Sequence, residues 1–176
     1  MEADKVKRDI YLEGIRDIPK VNLVHIDESG IEETIVKDKG WYKIGDVFYG
    51  KKSGKYYMRT NIIAGYVDNK PIAPFVFKGS CNTELFNKWV EEFLVKELRA
   101  GQVVIMDNAA FHRSPKVRVL IESVGCKLIF LPPYSPDLNP IEKFWANMKR
   151  WIRENIVNFN NLYDAINEFF KIPYPS

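Results

Sequence analysis

The sequence predicts an α/β fold, a mixed five-stranded sheet flanked by helices, and three observations carry that expectation. The early β-forming runs are separated by a hairpin signal, which makes them antiparallel neighbours. A strand–helix–strand unit follows at residues 103–131 and lays its two strands parallel, with their carboxyl ends at one edge of the sheet. The helical segments are amphipathic, so each has one face to bury against that sheet.

Composition sets the bounds. A chain of 176 residues suits one domain, and 46% hydrophobic with 14% aromatic residues is enough to bury a core. The 26 basic and 23 acidic residues leave a net charge of only +3, so any argument for a polyanionic partner has to come from local clustering. Cys81 and Cys126 lack metal-type spacing and read as reduced, semi-buried thiols of an intracellular protein. No apolar run approaches the roughly 18 residues of a membrane span, and residues 1–20 lack a signal-peptide core. The expectation is a cytosolic or nucleoid-associated protein without a membrane partner.

Taken in order, residues 5–18 set Val6, Ile10, Leu12, Ile15 and Ile18 at roughly helical spacing, which predicts a helix laid against the body. Pro19 ends it, and residues 21–26 form a buried strand that stops at Asp27 and Glu28. Residues 31–55 mix glycines, lysines and aromatics without a period and read as short strands or an ordered loop. Residues 56–68 and 72–77 are strands joined by a turn at Asn69, Lys70 and Pro71. Residues 82–100 are the clearest amphipathic helix, with Leu85, Phe86, Trp89, Val90, Phe93, Leu94 and Leu98 inward and Gly101 as the stop. A strand at 103–106, a helix at 115–124 and a strand at 127–131 follow. Helices at 140–155 and 161–171 close the fold, and the tail 173–176 is frayed.

Three carboxylates stand at predicted element ends: Asp27, Asp107 and Glu142, the last two separated by thirty-four residues. Oxygen-only donors suit hard cations such as Mg²⁺ or Mn²⁺, and three carboxylates can hold two ions roughly 3.5–4 Å apart for in-line phosphoryl displacement. Each acid also has a plain structural reading. Asp27 and Asp107 suit turns, and Asn139, Pro140 and Glu142 fit a capping box with Asn139 as the cap.

The wording of the stretch adds to this. HIDESG at 25–30, MDNAAFHRS at 106–114 and LPPYSPDLNPIEKFWANMKR at 131–150 resemble, in order, the catalytic signature of the DDE transposases of the mariner superfamily, in particular the bacterial insertion-sequence branch. The resemblance runs from Val21 to about Phe170 and includes Gly40, Trp41 and Gly45. It implies an RNase H-like catalytic domain at 21–172 behind an N-terminal helical arm at 1–20, with Asp27, Asp107 and Glu142 as catalytic metal ligands for two Mg²⁺ or Mn²⁺ ions. The implied reaction is strand cleavage at the ends of a mobile element, followed by 3′-hydroxyl attack on target DNA, commonly at TA. The implied partners are double-stranded DNA (terminal inverted repeats and target) and a second copy in a synaptic dimer. A helix-turn-helix recognition region is expected on the same or a fused chain, because only about twenty residues precede the first strand. An RNase H-like nuclease without strand transfer, or a silent DNA-binding module derived from a transposase, would share much of this sequence.

Other residues are candidates around that centre. His112 either positions DNA or water at the rim or serves as a hydrogen-bonded structural histidine. Asn108 either orients Asp107, touches substrate or forms the turn, and His25 reads as structural. On the helix at 140–155, Ile141, Phe144, Trp145, Met148 and Ile152 form the inward stripe, while Lys149 and Arg153 share a face with Glu142. With Lys143 and Arg150 they offer phosphate neutralisation or a plain solvated basic face. Lys51, Lys52 and Lys55 offer DNA contacts from the 31–55 insertion. Tyr134, Ser135 and Pro136 shape the turn that presents Glu142.

Overall fold

The structure, a computed structural model, describes residues 5–32 and 59–173. Its sheet has five strands in the order β3-β2-β1-β4-β5, with β1 Leu23–Glu32, β2 Arg59–Val67, β3 Lys70–Lys78, β4 Val103–Met106 and β5 Lys127–Phe130. The first three are antiparallel neighbours, while β1/β4 and β4/β5 are parallel. Helices α1 Lys5–Ile15, α2 (residues 83–97), α3 Pro115–Ser123, α4 Ile141–Asn155 and α5 Leu162–Lys171 cover the two faces.

Strand alternation sorts the core into layers. Val24, Ile26, Val104, Met106 and Leu128 point to the face covered by Phe86, Trp89, Val90 and Leu94 of α2 and by Val117 and Ile121 of α3. On the opposite face, Ile31, Ile62 and Ala64 meet the inward stripe of α4 and Leu162, Ile166 and Phe169 of α5. The remainder of that face, Val103 and Ile105 with Leu131, is closed by Tyr11 of α1. Each fully buried aliphatic or aromatic side chain contributes about 1.5–3 kcal/mol relative to exposure, so Trp89, Phe86 and Trp145 are principal anchors.

Several elements differ from their sequence reading. The first strand does not stop at Asp27. It continues to Glu32, because the antiparallel pairing with β2 persists, Asp27 opposite Ala64 and Glu32 opposite Arg59, after the parallel partner β4 has ended opposite His25. The hairpin turns at Asp68 and Asn69 (φ 48° and 60°), not at Asn69 to Pro71, as a two-residue loop with positive φ at both positions. Helix α2 contains a π-helical turn, Val90–Leu94, which leaves Phe93 40% exposed. In α1 the expected stripe is split: Val6 and Ile10 are about two-thirds exposed and Leu12 is exposed, while Ile15 and Ile18 pack beside the buried Tyr11. The readings at residues 33–58, including Gly40, Trp41, Gly45, Lys51, Lys52 and Lys55, lie outside the described residues.

The crossover that positions Asp107 is built conventionally. Pro115 opens α3, and Gly125 (φ +77°) closes it in a Schellman arrangement: Cys126 N–H donates to Ile121 O at 3.2 Å and Gly125 N–H to Glu122 O at 3.0 Å. The chain then enters β5 parallel to β4, and Leu131 N–H donates to Met106 O at 2.9 Å, fixing both strand ends side by side.

Candidate active site

Asp107 is the first residue after β4, Asp27 lies in β1 two residues past the last β4 partner, and Glu142 is in the first turn of α4. Alternation turns Asp27 to the same face as Ile31, which is the face α4 covers. All three carboxylates therefore line one cavity of about 400 Å³ at the carboxyl ends of the parallel strands, with Asn108, Arg113, Tyr134 and Asn139 among its other walls. The prolines of the 132–136 turn shape one side of it. Ser135 Oγ–H donates to Pro133 O at 3.2 Å, and Tyr134 sits in the left-handed region (φ 54°) with its ring exposed.

The capping box at the start of α4 does not form. The backbone carbonyl of Asn139 accepts from Glu142 N–H at 3.1 Å, while the buried Asn139 Oδ1 has no hydrogen-bond partner among the described residues. Glu142 is thus not engaged as a reciprocal cap, and its exposed carboxylate faces the cavity.

Asp107 is held in place. Its Oδ1 accepts from Ala109 N–H at 2.9 Å and from His112 Nδ1 at 2.6 Å. The other ring nitrogen of His112, Nε2, lies 3.0 Å from Glu28 Oε1. Burial opposes charge on His112, but the hydrogen bonds to Asp107 and Glu28 outweigh it and push its pKa up to about 9. The same His112 hydrogen bond holds the Asp107 carboxyl below its ordinary value. His112 is wholly buried, with its two ring nitrogens turned to Asp107 and Glu28 rather than to the cavity rim. Asn108 donates to Leu131 O at 2.6 Å and accepts at Oδ1 from Arg113 at 3.0 Å, so it ties the two strand ends together and orients Arg113.

Asp27 differs from Asp107. Burial first, and then the charges of Glu28, Glu142 and Asp107, raise its carboxyl to about 7. A half-buried acid beside other acids, with no cation against it among the described residues, is a site of uncompensated negative charge there. Among the described residues no three Asp, Glu, His or Cys side chains form a ready-made metal cage. The donor set nevertheless fits Mg²⁺ or Mn²⁺, which keep several waters and take only one or two carboxylates each.

The cation that lines the cavity among the described residues is Arg113, which sequence reasoning missed. Its signal was the Arg directly after His112 in a short 3-10 turn, Ala110–Arg113. Lys143, Arg150 and Arg153 are exposed and Lys149 is half-buried, but none of them lines the cavity. At about 1.5 Å of rise per residue, Lys149 and Arg153 stand roughly two and three turns beyond Glu142 and do not border it. Arg150 instead donates to Asn147.

The family described as DDE superfamily endonuclease matches residues 22–162, a span that contains all three carboxylates. The chain belongs to the DDE superfamily endonucleases. A relative of this chain, the uncharacterised protein y4pE/y4sA of Sinorhizobium fredii (strain NBRC 101917 / NGR234), is 36% identical over 78 residues, which cover 43% of this chain and 56% of that protein. Among solved structures, the chain is similar to the Mos1 mariner paired-end complex with Mn, at a TM-score of 0.65 and 17% identity, over 97% of this chain and 61% of that one. It is also similar to the Mos1 transposase catalytic domain with raltegravir and Mn, at a TM-score of 0.56 and 15% identity, covering 92% of that chain. At such identities the likeness carries the fold, which is RNase H-like, and the chain spans about three-fifths of the Mos1 chains in the DNA complexes. No described helix is long and apolar enough to cross a membrane.

Proposed function

We propose that this DDE endonuclease is the catalytic domain of an insertion-sequence transposase, cutting DNA strands and joining a 3′-hydroxyl to target DNA. The observation that carries this reading is the meeting of Asp27, Asp107 and Glu142, from three separate elements, on one cavity inside the matched family span. Two bound Mg²⁺ or Mn²⁺ ions would supply activation of the attacking oxygen and stabilisation of the leaving oxygen. Asp27 and Glu142 would hold cations from the sheet and from the helix, and Asp107 would do so from the strand end, already oriented by His112. Arg113 would bind a non-bridging oxygen of the scissile phosphate and offset charge the carboxylates repel. The exposed Lys143, Arg150 and Arg153, with Lys149, would guide the duplex along α4 toward the cavity. Residues 21–172 are the catalytic domain in this reading, and 1–20 an arm against it. The working complex is a dimer on paired DNA ends, with a helix-turn-helix region on the same or a fused chain, in the bacterial cytosol or nucleoid.

The test is strand cleavage and joining on a pre-nicked duplex bearing the element's terminal repeat, in Mg²⁺ or Mn²⁺. Wild type is expected to join the 3′ end to target, and Asp107→Ala and Glu142→Ala to lose at least about 10³-fold while staying folded. Hydrolysis without joining would point to a nuclease, and DNA binding without cutting would sink the catalytic reading for the isolated chain.

A further inference from the structure

We propose that Glu28 is a positioning residue for the reaction centre, acting through His112 to fix the carboxylate of Asp107 in the orientation that leaves its second oxygen open to a cation. The proposal rests on the reading of Asp107 as a metal ligand. Glu28 follows Asp27 in β1, and alternation sends the two side chains to opposite faces of the sheet. Asp27 lines the cavity and Glu28 does not. Glu28 instead reaches a histidine 84 residues away in sequence, on the face where α2 packs.

His112 cannot turn to suit another partner. Its ring is wholly buried and packs against Phe86 and Phe111, each with ring centroid 4.5 Å away. A buried ring packed on aromatic carbon is oriented by its two polar edges, and here each nitrogen meets one carboxylate oxygen, at 2.6 Å to Asp107 and 3.0 Å to Glu28. Both hydrogen bonds received by the Asp107 side chain, from His112 and from Ala109 N–H, converge on Oδ1. No hydrogen bond among the described residues engages Oδ2. The carboxylate is therefore anchored by one oxygen, with the other left for a ligand.

Removing the Glu28 carboxylate would leave His112 Nε2 without an acceptor in an apolar box, where an unmet donor is costly. The ring would tilt from its present orientation, and the hydrogen bond that fixes the plane of Asp107 would weaken. Partners of this kind behind a metal ligand typically change metal affinity by 10–100-fold without touching the metal. The side chain of Glu28 is only 19% exposed, which also makes it a poor candidate for contacting DNA directly.

The experiment is direct Mn²⁺ binding to the full chain without DNA, followed by the electron paramagnetic resonance of free Mn²⁺, for wild type, Glu28→Ala, Glu28→Gln and Asp107→Asn, with circular dichroism as the folding check. Glutamine keeps an acceptor oxygen for His112, so Glu28→Gln is expected within about threefold of wild type and Glu28→Ala at least about tenfold weaker. In ¹⁵N-edited spectra, the ring shifts of His112 are expected to stay close to wild type in Glu28→Gln and to move in Glu28→Ala. Should Glu28→Ala fail to fold, His112→Asn cuts the same connection at its middle and is read in the same way. If Glu28→Ala, or that substitute, binds Mn²⁺ like wild type while Asp107→Asn loses it, the positioning role is overturned and the metal site survives. If wild type binds no Mn²⁺, the metal-site reading falls and takes this role with it.

Discussion

Arg113 shares a cavity with three carboxylates, yet its hydrogen bond goes to the neutral amide of Asn108. A guanidinium held this way keeps its remaining N–H groups for a phosphate, and its planar fork is suited to one. Arg113→Ala is expected to weaken binding of a DNA duplex by roughly tenfold and to reduce the slope of log affinity against log salt by about one. Arg113→Lys would recover the salt slope without recovering the full affinity, because an ammonium cannot reproduce the fork. Fluorescence anisotropy at several salt concentrations reads both quantities, and an unchanged slope in Arg113→Ala would remove this residue from the phosphate contacts. Lys143 and Arg153, exposed on α4 outside the cavity, should each change the slope without changing cleavage of DNA already bound.

At the scale of elements, α1 is the informative case. Its apolar residues at 6, 10, 12, 15 and 18 suggested an inward stripe, but only Ile15 and Ile18 pack on the core, and the helix is seated by Tyr11, whose ring is buried beside Leu131 and whose hydroxyl finds no partner among the described residues. Burial pushes the phenol up to about 12. The folded protein therefore holds this proton more tightly than the unfolded chain, so stability falls as pH rises from about 10 to about 12, by about 1.4 kcal/mol per pH unit. Tyr11→Phe is expected to raise stability at pH 7 by about 1 kcal/mol and to remove that part of the alkaline loss, as read from urea unfolding at pH 7 and pH 11. In β3, Ala73 occupies the left-handed region (φ 48°), and α2 clamps it there: Ala73 N–H donates to Glu97 at 3.1 Å and Trp89 Nε1–H to Ala73 O at 2.9 Å. Trp89→Phe keeps most of the packing but removes the donor, and should cost about 1–3 kcal/mol in the same assay. Neither feature was legible beforehand, since each joins residues on separate elements. Period and punctuation did reveal the helices at 141–155 and 162–171 and the strand that ends at Asp107, because those signals are local: an apolar stripe, a proline, an abrupt acid. They could not reveal that β1 runs on through Glu28 and Ser29, where polar residues interrupt the apolar run but β2 still supplies hydrogen-bond partners.

For the molecule as a whole, the fold spends stability to gather negative charge. Two sheet strands and a helix from the covering layer deliver Asp27, Asp107 and Glu142 to one cavity, and among the described residues only Asp107 has a positively charged partner against it, in His112. The three acids were legible as motifs. The Glu28–His112–Asp107 connection was not, because it spans the sheet and depends on side chains 84 residues apart. The cost of the gathering falls on Asp27, whose carboxyl is raised from 3.8 to about 7 by burial and by the neighbouring carboxylates. In metal-free protein the fold therefore binds this proton more tightly than the unfolded chain does. Stability is lost as pH rises from about 4 to about 7, at about 1.4 kcal/mol per pH unit, and the deficit persists above that window. Asp27→Asn carries no charge to repel, so in EDTA at pH 8 it should melt higher than wild type, with the difference shrinking toward pH 4. A divalent cation offsets the same charge and stabilises only the form that binds it. Mg²⁺ should therefore raise the wild-type melting temperature at pH 8 and leave Asp27→Asn nearly unchanged. Scanning fluorimetry of both proteins in EDTA and in Mg²⁺ decides the matter: if they melt alike at pH 8 in EDTA, the cavity stores no repulsion, and the preference for a cation has to come from geometry alone.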